Sequence, residues 1–175
     1  MTLSELFEVF RESAFRLETL QHYVLAEDEP RRQAFREGRP LPPRPGKIES
    51  MRIVRDAVAA GKGVHRVHVV DLPLSDYIRY ELSVYPENIA AGEDVRIAIR
   101  TAHPDLAGFD TDFWLFDADT DKAAVVWFRY TPDGQILGRD YSNEPSDIER
   151  ARRQRDLALA HSLALTEFMN LPAVG

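Results

Sequence analysis

The tripeptide Ala-Ala-Gly occurs twice, at residues 59–61 and 90–92, and each copy is followed at once by a run rich in valine and isoleucine. Helical periodicity precedes each copy, over residues 48–60 and 75–91, and Ser75 is a suitable N-cap. Glycine just beyond a helix end readily adopts the left-handed conformation. The 31-residue spacing of Gly61 and Gly92 is typical of a strand-helix-strand unit. We therefore predict neighbouring parallel strands at residues 64–70 and 95–100.

The remaining strand-like segments predict antiparallel neighbours in the same sheet. Residues 113–116 and 123–130 are strongly apolar, and the second is apolar on both faces, which is typical of a central strand. A Thr-Pro-Asp-Gly turn at residues 131–134 predicts a hairpin partner at residues 135–138. Capping-box spacing of Ser146 and Glu149 predicts a final helix reaching residue 170. The fold class is thus α/β, with a single mixed β-sheet flanked by helices.

The N-terminal part predicts an added helical arm. Apolar residues fall at three- and four-residue steps from Leu3 to Leu20, after a capping box formed by Thr2 and Glu5, which predicts an amphipathic helix over residues 2–20. Five of the eleven prolines lie within residues 30–45, and the Pro-rich run 39–46 cannot continue a helix, which predicts an extended linker over that run. We divide the chain into residues 1–46, the amphipathic helix and Pro-rich linker, and residues 47–175, the α/β core domain.

Charge is unevenly distributed along the 175 residues. The net charge is −7 overall, but it is −5 over residues 1–30, +7 over 31–66 and −10 over 67–147. An acidic protein is poorly suited to gripping nucleic acid with its whole surface, so direct nucleic-acid binding is disfavoured. We expect the basic segment 31–66 to pair with the acidic body; the alternative is a positive face for a partner.

The absence of cysteine excludes disulfides, thiol nucleophiles and cysteine-rich zinc sites.

The first 20 residues mix Glu and Arg with apolar residues, so we expect neither a signal peptide nor a membrane span, and we expect a cytoplasmic location. No cofactor motif is found: the glycines at 61 and 63 lack the spacing of a phosphate loop and precede a strand.

Ligands in open α/β sheets bind beyond the carboxyl ends of parallel strands, where Asp71 and Arg100 are expected. Asp71 could instead serve the following turn.

Five carboxylates lie within residues 110–121, but Lys122 and Phe128 stand where a calcium loop needs glycine and glutamate. We therefore predict no metal site. The candidate ligand-binding residues are Asp71, Tyr77, Tyr80, Arg100, Asp110, Asp112 and Asp117.

Six segments together resemble a small, chiefly actinobacterial family of unknown function whose members are often encoded beside helix-turn-helix regulators. They are FRLET at 15–19, RVHVVD at 66–71, LSDY at 74–77, YE at 80–81, AGEDVR at 91–96 and the signature FWLFD at 113–117. The resemblance spans nearly the whole chain. It implies a bacterial protein with a regulatory role but carries no activity.

From residue 66 onward the pattern also resembles half of a phospholipase-D-like fold. That superfamily uses a histidine that attacks phosphorus, a lysine two residues later, and an aspartate. If Asp117 matches that aspartate, Asp110 and Asp112 occupy the histidine and lysine positions. Carboxylates cannot supply the nucleophilic nitrogen and would repel a phosphodiester. The resemblance therefore implies a degenerate, non-catalytic domain.

We expect a non-catalytic regulatory module that binds a small ligand or a protein partner, such as a helix-turn-helix regulator or a second copy of the chain. A first alternative is a metal-assisted hydrolase with Asp110, Asp112 and Asp117 as ligands. A second is a nucleic-acid binder acting through residues 31–66 and the arginines of 150–155.

Overall fold

The computed structural model describes residues 1–174 and contains one mixed, seven-stranded sheet. Its strands are β1 (Ser13–Glu18), β2 (Gly63–Val70), β3 (Asp94–Ile99), β4 (Phe113–Phe116), β5 (Ala124–Tyr130), β6 (Ile136–Ser142) and β7 (Ser162–Ala164). Their order across the sheet is β6-β5-β4-β1-β2-β3-β7. Strands β1, β2 and β3 are parallel, and every other pairing is antiparallel.

Six α-helices flank the sheet, which confirms the predicted fold class. They are α1 (Leu3–Val9), α2 (Glu29–Arg36), α3 (Pro45–Ala59), α4 (Asp76–Ala90), α5 (Pro145–Ala160) and α6 (Leu165–Met169). Helix α5 packs on one side of the sheet against residues such as Leu17 and Val125. On the opposite side, which we call the α3 face, α1 and α3 pack on Trp114 and Phe116.

The repeated Ala-Ala-Gly segments end helices as predicted. Gly61 and Gly92 follow α3 and α4 with φ of 82° and 101°, which is the left-handed region. The Ser75 hydroxyl caps α4 by accepting the amide N–H of Ile78 at 3.1 Å. Strands β2 and β3 are parallel neighbours, which confirms the predicted unit.

The prediction of one helix over residues 2–20 is wrong. The chain forms α1, capped by Thr2 and Glu5 as predicted, and then strand β1, which is the middle strand of the sheet. Over β1 the side chains alternate, with Phe15 and Leu17 on the α5 side and Arg16 on the α3 face. Strands β2 and β4 pair with both edges of β1, and these distant partners outweigh the local helical periodicity. The sheet thus takes its central strand from residues 1–46 and the others from residues 47–175.

Three smaller expectations also need correction. The final helix ends at Ala160, because residues 162–164 pair with β3 as strand β7 before α6 begins. Glu144, rather than Ser146, is the N-cap of α5. Strand β5 is second from the edge, although both of its faces are buried as expected.

Residues 39–44 form the extended connection between α2 and α3, where the carbonyl of Pro42 accepts a hydrogen bond from Arg31 at 2.7 Å.

Candidate functional site: a buried charge cluster and a tyrosine-lined cleft

Asp112 and Asp117 have structural partners at opposite ends of β4. Asp112 is fully buried and accepts from Arg16 Nη2 at 3.0 Å, the Thr19 amide and hydroxyl at 2.8 Å each, and the Tyr23 hydroxyl at 2.7 Å. Asp117, at φ 48°, accepts the three successive amide N–H groups of residues 11–13 at 2.7 to 3.2 Å. Four strand residues lie between Asp112 and Asp117, so their Cα atoms are roughly 17 Å apart and the two carboxylates do not converge on one ion.

The other acidic candidates are less buried. Asp110 is exposed and accepts from the neighbouring Thr111 hydroxyl at 2.9 Å. Asp71 lies at the end of β2 and pairs with Arg100 Nε at 2.9 Å, at the carboxyl ends of the parallel strands as expected. Arg100 also donates to the carbonyl oxygens of Thr19, at 2.7 Å, and of Phe109. Arg100 therefore joins the ends of three chain segments.

The two tyrosine candidates on α4 lie in different surroundings. The Tyr80 hydroxyl donates to buried Asp28 at 2.8 Å, and burial together with that carboxylate raises the pKa of Tyr80. The Tyr77 hydroxyl donates to Glu81 Oε1 at 2.9 Å, and its ring packs 5.8 Å from that of Tyr23. The predicted residues thus do not form a single crevice; Tyr77 belongs to the cleft described below.

Five ionised side chains meet on the α3 face of the central strands, each exposed by 14% or less, and we call them the charge cluster. The cluster consists of Arg16, Glu18, Arg66, Glu93 and Asp112. Arg16 Nε lies 3.4 Å from Glu18 and its Nη2 3.0 Å from Asp112, while Arg66 Nε donates to Glu93 at 2.6 Å and Nη1 donates to Glu18. Removing one member of such a buried set typically costs about 3–5 kcal/mol, because its partner is left buried and unpaired.

A hydrogen-bonded chain extends the cluster along β2. The Tyr85 hydroxyl donates to Glu18 Oε2 at 2.9 Å and lies 2.6 Å from His68 Nδ1, and His68 Nε2 lies 2.8 Å from the Leu20 carbonyl. Burial alone would raise the pKa of Glu18, but Arg66, His68 and Arg16 outweigh it and hold that pKa well below its usual range. Glu18 is therefore a firmly ionised carboxylate.

A cleft of about 220 Å³ opens beside the cluster, and we call it the tyrosine cleft. Its walls include the rings of Tyr23, Tyr77 and Tyr130, and its charged groups come from Arg16, Glu18, Glu81 and the exposed Arg139. Tyr23 lies edge-on to Tyr130, with ring centroids 5.4 Å apart. Burial and the carboxylate of Asp112 raise the pKa of Tyr23, so its hydroxyl stays protonated.

Two polar groups of this cleft have unused hydrogen-bonding capacity. Nη1 of Arg16 is buried and has no partner, although Nε and Nη2 are both paired. Glu81 accepts from Tyr77 on Oε1, and within residues 1–174 its Oε2 accepts no hydrogen bond. Burial and the nearby Glu18 raise the pKa of Glu81 to about 7. Buried polar groups are normally paired, so the unpaired Arg16 Nη1 indicates room for a ligand, and the half-buried carboxylate of Glu81 is open to the same space.

A larger cleft of about 550 Å³ lies between α1 and α3, and we call it the helix cleft. Its lining includes Leu3, Phe7 and Trp114, and among its charged residues Arg66 donates to Glu93 and Arg52 donates to Glu49. None of the buried unpaired atoms of residues 1–174 belongs to its lining. The tyrosine cleft is therefore the better candidate for specific recognition.

Sequence reasoning missed Arg16, Glu18, Tyr23, Glu81 and Tyr130. The signal for the first two is the strict alternation of apolar and charged residues over positions 15–18, which is typical of a strand. No local signal places Tyr130 beside Tyr23, because those residues are more than 100 positions apart. Within residues 1–174, no group of three or more His, Asp or Glu side chains is arranged to hold a metal ion.

The fold and site define an α/β protein with a single mixed sheet and a buried ion-pair cluster beside a tyrosine-lined cleft. The chain belongs to the DUF6879 family, described as a domain of unknown function, which matches residues 1–170. Among curated proteins, none matches the chain. Across residues 1–174, every helix is too short or too polar to cross a membrane.

Proposed function

We propose that this chain is a non-catalytic module that binds a small ligand in the tyrosine cleft. The observation that carries the proposal is the buried, unpaired Nη1 of Arg16 among aromatic walls, beside the half-buried Glu81, whose Oε2 accepts no hydrogen bond within residues 1–174. Binding sites commonly combine apolar walls with a few placed polar groups. The ion pairs of Arg16 with Glu18 and Asp112 hold the guanidinium in place without a ligand, so the site is preorganised.

The absence of catalysis is proposed on chemical grounds. In the phospholipase-D-like alignment, Asp110 and Asp112 stand where the nucleophilic histidine and the lysine belong. Asp112 accepts four hydrogen bonds from Arg16, Thr19 and Tyr23, so it is a structural acceptor that no reacting group can reach. The metal-hydrolase alternative is not favoured either, because Asp112 and Asp117 lie at opposite ends of β4.

We further propose that ligand binding is reported to a protein partner, such as the helix-turn-helix regulators that the resembling family accompanies. The tyrosine cleft is suited to this role because it draws on β1, α4 and the β5–β6 hairpin. A ligand there would contact three elements that are far apart in the chain. Occupancy can therefore be coupled to the position of the hairpin, which carries the edge strand β6.

Two tryptophan substitutions in β6 test ligand binding in this cleft. Ile136 lines the cleft and is half-exposed, whereas its neighbour Leu137 is exposed and lies outside the lining. We expect compounds from a metabolite library to raise the melting temperature of the wild type and of Leu137→Trp, but not of Ile136→Trp. At a ligand concentration 100 times the Kd the stabilisation is about 2.7 kcal/mol, or roughly 5–10 °C for a chain of this size.

Circular dichroism of both variants serves as the control for folding. The proposal fails if no compound stabilises the wild type, or if Ile136→Trp responds to the same compounds as Leu137→Trp.

A further inference from the structure

We propose that the ligand of the tyrosine cleft is a small organic cation, whose ammonium or guanidinium group binds Glu81 between Tyr23, Tyr77 and Tyr130. This inference rests on the proposed function, because it names the chemical class of the ligand for the same site. A free amine and the side chain of a peptide lysine or arginine share this chemistry.

The charged side chains beside the tyrosine cleft carry a net negative charge. The charge cluster contains two guanidinium groups, Arg16 and Arg66, against the three carboxylates of Glu18, Glu93 and Asp112. Both arginines are committed to these partners. The exposed Arg139 also lines the cleft, so one negative charge is left in excess once Glu81 is counted, and a cation is the ligand that would compensate it.

The second argument is the surroundings of Glu81 itself. Glu18 on β1, Asp28 before α2, Lys47 on α3 and Tyr77 on α4 act on its carboxyl group. The only cation among them, Lys47, donates its Nζ hydrogen bond to Asn88 at 2.5 Å instead. The pKa of Glu81 rises to about 7 through burial and the charge of Glu18, which means that the empty cleft attracts a proton. A bound cation would take the place of that proton.

The third argument is the arrangement of the aromatic rings. The ring of Tyr23 stands at 73° to that of Tyr130 and at 55° to that of Tyr77, with centroids 5.4 and 5.8 Å away. Inclined rings around a carboxylate offer their electron-rich faces to a cation at distances where cation–π attraction is effective. Phe128, the fourth ring of the cleft, already accepts the guanidinium of Arg16 at 4.1 Å. Arg139 lies over the same Phe128 ring at 5.3 Å, and Arg32 lies over the ring of Tyr77 at 5.4 Å. Within residues 1–174, the rings of the cleft that have no cation over them are therefore those of Tyr23 and Tyr130.

The cleft also sets limits on the rest of the ligand. A volume of about 220 Å³ suits a charged group on a short carbon chain rather than a nucleotide-sized molecule. The unpaired Nη1 of Arg16 would be satisfied by one acceptor, such as a hydroxyl oxygen of the ligand. Glu18 and Asp112 already neutralise Arg16, so a carboxylate ligand would depend on the exposed Arg139.

Calorimetric titration of the full chain compares butylguanidinium with butylurea, a neutral molecule of nearly the same shape. We expect butylguanidinium to bind at least tenfold more tightly at about pH 8, because only the charged molecule compensates the carboxylate. Its affinity should fall about tenfold between about pH 8 and pH 6 as Glu81 becomes protonated. Equal affinities for the two molecules would overturn the assignment.

The isosteric variant Glu81→Gln identifies the carboxylate. We expect it to bind butylguanidinium no better than butylurea and to show no pH dependence, while Glu149→Gln, altered at an exposed glutamate of α5, behaves like the wild type. Unchanged binding by Glu81→Gln would also overturn the proposal. A competition titration with Nα-acetyl-arginine amide distinguishes a peptide side chain from a free cation as the ligand. Displacement of butylguanidinium by this amide indicates a peptide side chain, and a lack of displacement indicates a free cation.

Failure of this inference can be told from failure of the proposed function. One outcome is that butyrate or library compounds bind, that Ile136→Trp blocks this binding, and that butylguanidinium does not bind. In that case the cleft binds ligands but the assignment of a cationic ligand is wrong. If nothing binds in a manner that Ile136→Trp blocks, both proposals fail.

Discussion

At the scale of single residues, Glu81 combines two properties that can be measured separately. Its carboxyl group is the one in the cleft whose pKa is raised, to about 7, whereas the pKa of neighbouring Glu18 is lowered. The contrast has a simple cause. Two arginines bind Glu18, while Glu81 receives only the Tyr77 hydroxyl. The structure therefore keeps one carboxylate charged and leaves the other near its titration point at neutral pH.

The raised pKa of Glu81 predicts how the free energy of unfolding changes with pH. A carboxyl group with a raised pKa binds more protons in the folded chain than in the unfolded one, so its contribution to stability is lost as pH rises from about 4.5 to 7. The full loss is about 3 kcal/mol. We expect Glu81→Gln, which resembles the protonated form, to become more stable than the wild type by roughly that amount between about pH 5 and pH 8, as measured by urea unfolding.

The control for this prediction is Glu149→Gln, for which the difference from the wild type should stay constant with pH. Glu18 is present in all three proteins, so its own titration at acid pH cancels in the comparison. Parallel stability curves for the wild type and Glu81→Gln would contradict the raised pKa.

At the scale of secondary-structure elements, the two glycine-ended helices show how similar sequences meet different surroundings. A Cβ atom added at Gly61 would meet open space, whereas one added at Gly92 would lie 3.0 to 3.2 Å from the side chain of Val58 on α3. Both glycines have positive φ. The end of α4 is thus packed against α3, while the end of α3 is free.

Alanine substitutions at these two positions should therefore differ. We expect Gly61→Ala to cost about 1–2 kcal/mol, which is the usual penalty of the left-handed conformation. Gly92→Ala carries the same penalty and must also displace Val58, so its free energy of unfolding should fall further, by about 1 kcal/mol or more. Urea unfolding measures both, and equal losses would contradict the packing of α4 against α3.

Strand β1 illustrates why elements can be misassigned from sequence. The spacing of Phe10, Ala14 and Leu17 fits a helix, but β1 gains hydrogen-bonding partners along both edges from residues 63–68 and 113–116. Those partners lie about 50 and 100 positions further along the chain. Periodicity within a window of a dozen residues contains no information about them.

At the scale of the whole molecule, the segregated charges largely neutralise one another. Within the basic segment 31–66, buried Arg31 binds Glu87, and Arg66 binds Glu18 and Glu93. Three exposed arginines pair with acidic neighbours in the same segment or close to it: Arg36 with Glu29, Arg39 with Glu37, and Arg52 with Glu49 and Asp56. The expected pairing with the acidic body of residues 67–147 is made by Arg31 and Arg66, whereas the other pairs lie within the segment or reach residues 1–30.

This pairing leads to a prediction about nucleic acid. With a net charge of −7 and most of the basic segment paired, we expect no change in the fluorescence anisotropy of a labelled DNA duplex, even at about 50 mM salt. A basic DNA-binding domain of similar size is the positive control. Binding that weakens steeply with added salt would instead favour the nucleic-acid alternative.

The sequence by itself determined the elements whose signals are local. The caps at Thr2 and Ser75, the glycines after α3 and α4, and the turn before β6 lie within a few residues of what they shape. From these follow the parallel pair β2 and β3, the β5–β6 hairpin and the α/β class.

Only the tertiary structure decided the rest. Arg16 is a buried cleft residue because Asp112, 96 positions away, accepts its hydrogen bond, and Glu81 has the Tyr77 hydroxyl as its partner while Lys47 donates to Asn88. The physical reason is that a buried charge is tolerated or titrated according to neighbours that folding brings together. Pairing across such distances is a property of the assembled sheet, not of any window of its sequence.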